Sequence, residues 1–243
     1  MNLFFHHKDT KAQRKSKKGK VLLLSFQVLF LSVSLCLCGK SLYAQETITV
    51  AVASSLYGNM QHQVAKFEKN HDVTVRLISG STGRLYNQII QGAPFDVFIA
   101  ADEQRPAMLA KLGKVIEAQQ VGQGYLGLMI GHRVVVDSAV LSDASIRHIA
   151  IANPDVAPFG QATKKVLQQQ GLWQKLNHKF VYAQNAMQAK MMVDKGLVDA
   201  GFVPVSSDNA FMTTLPYVGV LLIDKLQAHT FMQTIKQKYL RHL

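Results

Sequence analysis

The sequence predicts an α/β fold of the two-lobed kind, each lobe a mostly parallel sheet flanked by helices, with a ligand cleft between the lobes. Two observations carry this. Short apolar runs of buried-strand length alternate with stretches whose apolar residues recur every three to four positions, and three such units fit into about sixty residues. The loops that lead from a strand into a helix are polar or glycine-bearing, and in open α/β sheets that is where ligands bind.

Taken in order, the run ITVAVA after Thr47 reads as a buried strand. Ser54 and Ser55 follow as natural helix caps, and Met60, Val64 and Phe67 mark one face of a helix over 56–69. A second strand spans 73–78 and ends in the loop SGSTG at 79–83, after which Leu85 and Ile89 share a helical face until Gly92-Ala93-Pro94 stops it. Residues 95–101 form a third strand, and Asp102 is placed to cap a helix around 106–112. The second half supplies strands at 125–131 and 133–137 and one ending in IAIANP. A loop at 153–160, a helix at about 161–170, a strand at 179–183 and a helix at 186–195 follow. Further strands lie at 199–203 and 217–223, and the chain is helical from Leu226. The expected division is a leader at 1–44, a first lobe at 45–127 completed by about 207–243, and a second lobe at 128–206.

The net charge of +12 on 243 residues invites a nucleic-acid reading, and its placement removes that reading. Residues 1–44 hold eight basic side chains against Asp9 alone, so +7 of the +12 lies there and a modest +5 is scattered over the rest, with no basic stripe. The same segment carries the basic stretch KAQRKSKKGK, the apolar run Val21 to Cys38 and a small-residue end at Ala44, the pattern of a secretory signal peptide. An uncleaved N-terminal anchor is the alternative, since the run has just the length of a span. Both cysteines, Cys36 and Cys38, fall inside it, so residues 45–243 contain none and have no thiolate chemistry or disulfide.

The recurring feature is a short strand-to-helix loop at 54–55, 79–83, 153–160 and 184–186. Free backbone N–H groups and the positive end of a helix dipole favour anions there, and Ser or Thr hydroxyls add neutral donors. Ordinary capping explains each loop alone about as well; their recurrence is what points to an oxyanion. SGSTGR lacks the Lys-Ser/Thr of a phosphate-binding loop, and GQGYLG at 122–127 follows no convincing strand.

AVASSL at 51–56, SGSTGRLYNQIIQGAPFDVFIAAD at 79–102, IAIANPDVAPFG at 149–160 and DAGFVPVSSDNA at 199–210 resemble the substrate-binding proteins of molybdate ABC transporters. The resemblance implies a periplasmic type II binding protein that closes on molybdate or tungstate and delivers it to an inner-membrane permease. It implies a monomer that needs no cofactor and does no catalysis. Carried onto this chain, the family's anion donors fall on the hydroxyls of Ser55 and Thr82 and the amides of Phe159 and Ala186, with Ser54, Ser81 and Asn185 as neighbours. Two positions depart from the pattern: many relatives have tyrosine where this chain has Phe159, and others where it has Pro204. Relatives also carry a longer stretch after the SSDNA-like segment, whereas here the chain ends soon after Ala210.

Sulfate, phosphate or an organic acid in the same fold is the nearest alternative. A secreted α/β enzyme or a sensory or adaptor module is the alternative of another class, though no GxSxG elbow is present. Asp96 and Asp102 read as a loop anchor and a helix cap. His62, His71, His132, His148, His178, His229 and His242 form no metal-binding spacing and read as surface groups. Trp173 reads as packing, Met187, Met191 and Met192 as core filling, and Arg84, Arg105 and Lys195 as solvated cations or anion guides.

Overall fold

The computed structural model describes residues 45–207 and 212–240. The leader reading, Cys36, Cys38, His242 and most of the SSDNA segment fall outside these residues. Residues 45–243 form one compact unit.

Nine strands share one mixed sheet, in the order β2-β1-β3-β9-β4-β8-β6-β7 with β5 paired to β4. At one end β1 (Glu46–Ala53) runs parallel to β2 (Val73–Gly80) and β3 (Val97–Ala100). At the other end β6 (Ile149–Ala152) runs parallel to β7 (Phe180–Ala183) and β8 (Ala200–Val205). These are the two parallel groups expected from the sequence. Their connection was not expected: β4 (Glu117–Ile130) and β9 (Thr213–Leu221) pair antiparallel with each other and with β8 and β3, so the two groups are ends of a single path. β5 is the short hairpin partner Arg133–Val135.

Period-two alternation buries both faces of each parallel group. In β1, Ile48, Val50 and Val52 enter one core and Ala51 the other; in β3, Val97 and Ile99 oppose Phe98 and Ala100 in the same way. The first core is closed by α1 (Tyr57–Glu68), through Met60, Val64 and Phe67, and by α7 (Leu226–Leu240), through Ala228, Phe231 and Met232. The opposite face is covered by α2 (Thr82–Ile90), through Leu85 and Ile89, and α3 (Gln104–Lys111), through Leu109. At the far end α4 (Pro158–Gln169) contributes Leu167 to the large core, next to the short α5 (Trp173–Leu176), while α6 (Ala186–Asp194) packs Ala189 and Val193 against Ala150 and Val203.

Several local expectations change. Residues 117–124 are strand, not connection: both edges of β4 are claimed by neighbours, and a register shift between Gln120 and Gly122 absorbs its irregular sequence. α4 begins at Pro158, three residues earlier than expected, because proline is preorganised for the first helical position. The cap positions of the 54–56 turn and of α1 fall on Ala53 and Leu56 rather than on Ser54 or Ser55, and Ser81, which does occupy the cap position of α2, makes no side-chain cap bond. Met187 and Met191 are exposed, and only Met192 packs against the core. Arg105 is no solvated cation: it is buried, and its guanidinium lies 2.6 Å from the Asp102 carboxylate. Asp102 also accepts the Arg105 amide, the capping role foreseen for it. Asp96 anchors the β1–β3–β9 end by accepting from the Thr49 amide at 2.6 Å and the Lys225 ammonium at 2.9 Å. Trp173 packs at a tilt against Phe180 and lies under the Lys164 ammonium.

Candidate anion-binding site

The carboxyl ends of β1, β2 and β3 and the first turns of α4 and α6 converge on one small cavity. Its wall consists of Ala53, Ser54, Ser55, Gly80, Ser81, Thr82, Ala101, Ala157, Pro158, Phe159 and Ala186. Six of the seven residues singled out from the sequence are among these. Asn185 is not: its side chain accepts the Gln188 amide at 3.0 Å as the α6 cap, and it lines a neighbouring depression with Arg84 and Gln184.

The local geometry leaves donors unspent at each loop. The α2 ladder begins with the Leu85 amide donating to Ser81 C=O, that of α4 with Gln161 donating to Ala157, and that of α6 with Ala189 donating to Asn185. The amides of Phe159 and Ala186 precede these bonds and have no acceptor within their own helices. The hydroxyls are held similarly. Thr82 Oγ1 accepts from the Ala101 amide at 3.1 Å, and Ser55 Oγ accepts from the Tyr217 phenol at 2.9 Å, so in each case a lone pair is used and the hydroxyl proton remains to donate. Ser81 Oγ is buried with no hydrogen-bond partner. A buried polar atom in that state carries a desolvation cost that a ligand acceptor would relieve.

No side chain in the wall is charged, and none is His, Asp, Glu or Cys. The wall therefore meets a ligand with neutral hydroxyl and amide donors. Among the described residues no group of three His, Cys, Asp or Glu is placed to hold a metal ion. Arg84 stands just outside and ties the second loop to the fourth, its guanidinium donating to Gln184 Oε1 at 3.0 Å. The Gly83 amide likewise donates to Val156 C=O at 2.9 Å, joining the second loop to the third. A Cβ on Gly83 would lie 2.8 Å from that carbonyl oxygen, so glycine permits the approach.

Residues 48–236 match the family model described as bacterial extracellular solute-binding protein. The chain belongs to that family. It is 36% identical over 163 residues to the molybdate-binding protein of Azotobacter vinelandii, covering 65% of each chain. To the molybdate-binding protein of Rhodobacter capsulatus it is 33% identical over 163 residues, covering 65% of this chain and 64% of that one. The solved structure of the Azotobacter vinelandii periplasmic molybdate-binding protein superposes with a TM-score of 0.70 at 28% identity, over 78% of this chain and 91% of the other. The matched family is that of bacterial extracellular solute-binding proteins, and in this chain the convergent polar donors lie in the wall of the cavity.

The sequence pointed to four of the loops in this wall, but neither to the one that begins at Ala101 after β3 nor to Tyr217. Its partner Ser55 is 162 residues away in the chain, and YVGVLLI reads only as an apolar strand.

Proposed function

We propose that the protein is the periplasmic substrate-binding component of an ABC transporter, that its ligand is molybdate or tungstate, and that it hands this anion to an inner-membrane permease. The observation that carries the reading is the buried, unpartnered Ser81 hydroxyl in a wall otherwise composed of neutral donors. Such a wall suits a tetrahedral dianion: preorganised dipoles stabilise it, and no counter-charge stays buried when it leaves. Ser55 and Thr82 donate from hydroxyls, Phe159 and Ala186 from amides, and Ser81 adds a further hydroxyl.

The molybdate-binding relatives above 30% identity favour molybdate over sulfate or phosphate. In this reading residues 45–127 with 207–243 and residues 128–206 act as lobes that close on the anion, the Gly83–Val156 and Arg84–Gln184 bonds being made on closure, and residues 1–44 direct export. Calorimetric titration of the purified protein with molybdate, tungstate, sulfate and phosphate tests it. One-site binding of molybdate and tungstate, with the other two much weaker, is expected; silence toward all four would sink it.

A further inference from the structure

Gly122, Gly124 and Tyr217 are unused by the site as described, and they belong together. Tyr217 sits on β9 directly opposite Gly122 of β4. Its ring is buried at 4% exposure and lies across β4 where two side chains are missing. A Cβ on Gly122 would meet the ring at 3.3 Å, and one on Gly124 would lie 2.7 Å from the phenol oxygen and 3.0 Å from Phe159 Cζ. The glycines of GQGYLG thus form a trough that lets the phenol cross to the first loop and end 2.9 Å from Ser55 Oγ. The same trough brings the tips of Tyr217 and Phe159 to one place.

We propose that Tyr217 is a positioning residue of the anion site, whose phenol donates to Ser55 Oγ and so commits the Ser55 proton to the ligand, in a chain that has no tyrosine hydroxyl at 159 or 204. This inference rests on the oxyanion reading of the cavity. A hydroxyl can donate only one proton; once Ser55 accepts from the phenol, that proton points elsewhere, and the wall of the cavity is where the first loop faces. Accepting from a phenol also polarises Ser55 and makes it the stronger donor. Burial pushes the Tyr217 pKa up to about 12, so the phenol keeps its proton at and well above neutral pH. Positioning is achieved without adding a charge to the site.

The test is a double-mutant cycle in molybdate affinity. Tyr217→Phe keeps the ring and removes the donor, and it should weaken binding about tenfold, the effect of one buried hydrogen bond. Introduced into Ser55→Ala it should add nothing, because the group it orients is gone. A merely structural Tyr217 would lower the melting temperature of the ligand-free protein while leaving affinity unchanged, or would weaken binding equally in both Ser55 backgrounds; either result overturns the proposal. Wild-type protein that binds none of the four anions overturns the oxyanion reading and this inference together, whereas wild-type binding with an unaffected Tyr217→Phe overturns this inference alone.

Discussion

The wall formed by residues 53–55, 80–82 and 101 presents four hydroxyl side chains to the cavity, whereas the wall formed by residues 157–159 and 186 presents Ala, Pro and Phe side chains. Both walls end strands of a parallel group and begin helices, so backbone geometry does not separate them. The difference lies in where the donor is attached. A hydroxyl wall depends on side-chain identity and on the partners that orient each proton; an amide wall depends on where the helix starts and is indifferent to most side chains. Substitutions should therefore injure the two walls by different routes.

The largest effect belongs to the amide wall. A Cβ on Gly160 would collide with the Ala152 carbonyl oxygen, and the first turn of α4 cannot move off the end of β6 without shifting the Phe159 amide. Gly160→Ala is expected to cost about 3 kcal/mol or more of stability in chemical denaturation, the scale of severe overpacking. Next come the donors themselves. Ser55→Ala and Thr82→Ala should each weaken molybdate binding by about 1 to 3 kcal/mol. Ala186→Pro should match them: position 186 opens α6 and the preceding Asn185 is already extended at φ −157° and ψ 171°, so proline fits the helix while deleting the amide. Loss of affinity in Ala186→Pro with little change in melting temperature sharpens the contrast between the walls, and full retention breaks it.

Smaller effects separate fold from site. Asn185→Ala removes the cap of α6 and should lower stability by about 1 kcal/mol in a denaturant titration, with a lesser effect on affinity. Ser81→Ala carries an opposite sign in the two states. Removing a buried hydroxyl without a partner should leave the ligand-free protein as stable or more stable, by up to about 1 kcal/mol, while molybdate binding weakens. Thermal melts with and without molybdate check both signs at once. The effect of pH on stability through Tyr217 is confined to strongly alkaline solution and is nil near neutrality. Its folded pKa is raised from 10.0 to about 12, so its contribution is complete below pH 10 and is lost as pH rises from 10 to 12. Denaturation midpoints that already fall between pH 7 and 9 because of this group would contradict the assignment.

Much of this was legible in the sequence for a physical reason: strands buried on both faces are short apolar runs, and the loops at their ends must be polar to meet ligand or water. The loops so marked bring Ser54, Ser55, Ser81, Thr82, Phe159 and Ala186 to the wall of one cavity. What escaped was fixed by partners distant in the chain. Glu117 to Gly124 carry polar residues and glycines that do not announce a strand, and they become one because β9 claims them. Tyr217 reads as one apolar position among several until the glycine trough aims its phenol at Ser55. Arg105 is the exception, for its partner Asp102 lies only three residues earlier, and it reads as a free cation until α3 sets the two side by side.

The central claim, that neutral donors from both walls hold one oxyanion, is tested most directly by locating tungsten through its anomalous scattering in crystals grown with tungstate. A single peak is expected in the cavity, with oxyanion oxygens within about 3 Å of Ser55 Oγ, Thr82 Oγ1 and the amide nitrogens of Phe159 and Ala186. A peak elsewhere on the protein, or one held by Arg84 outside the cavity, would contradict it.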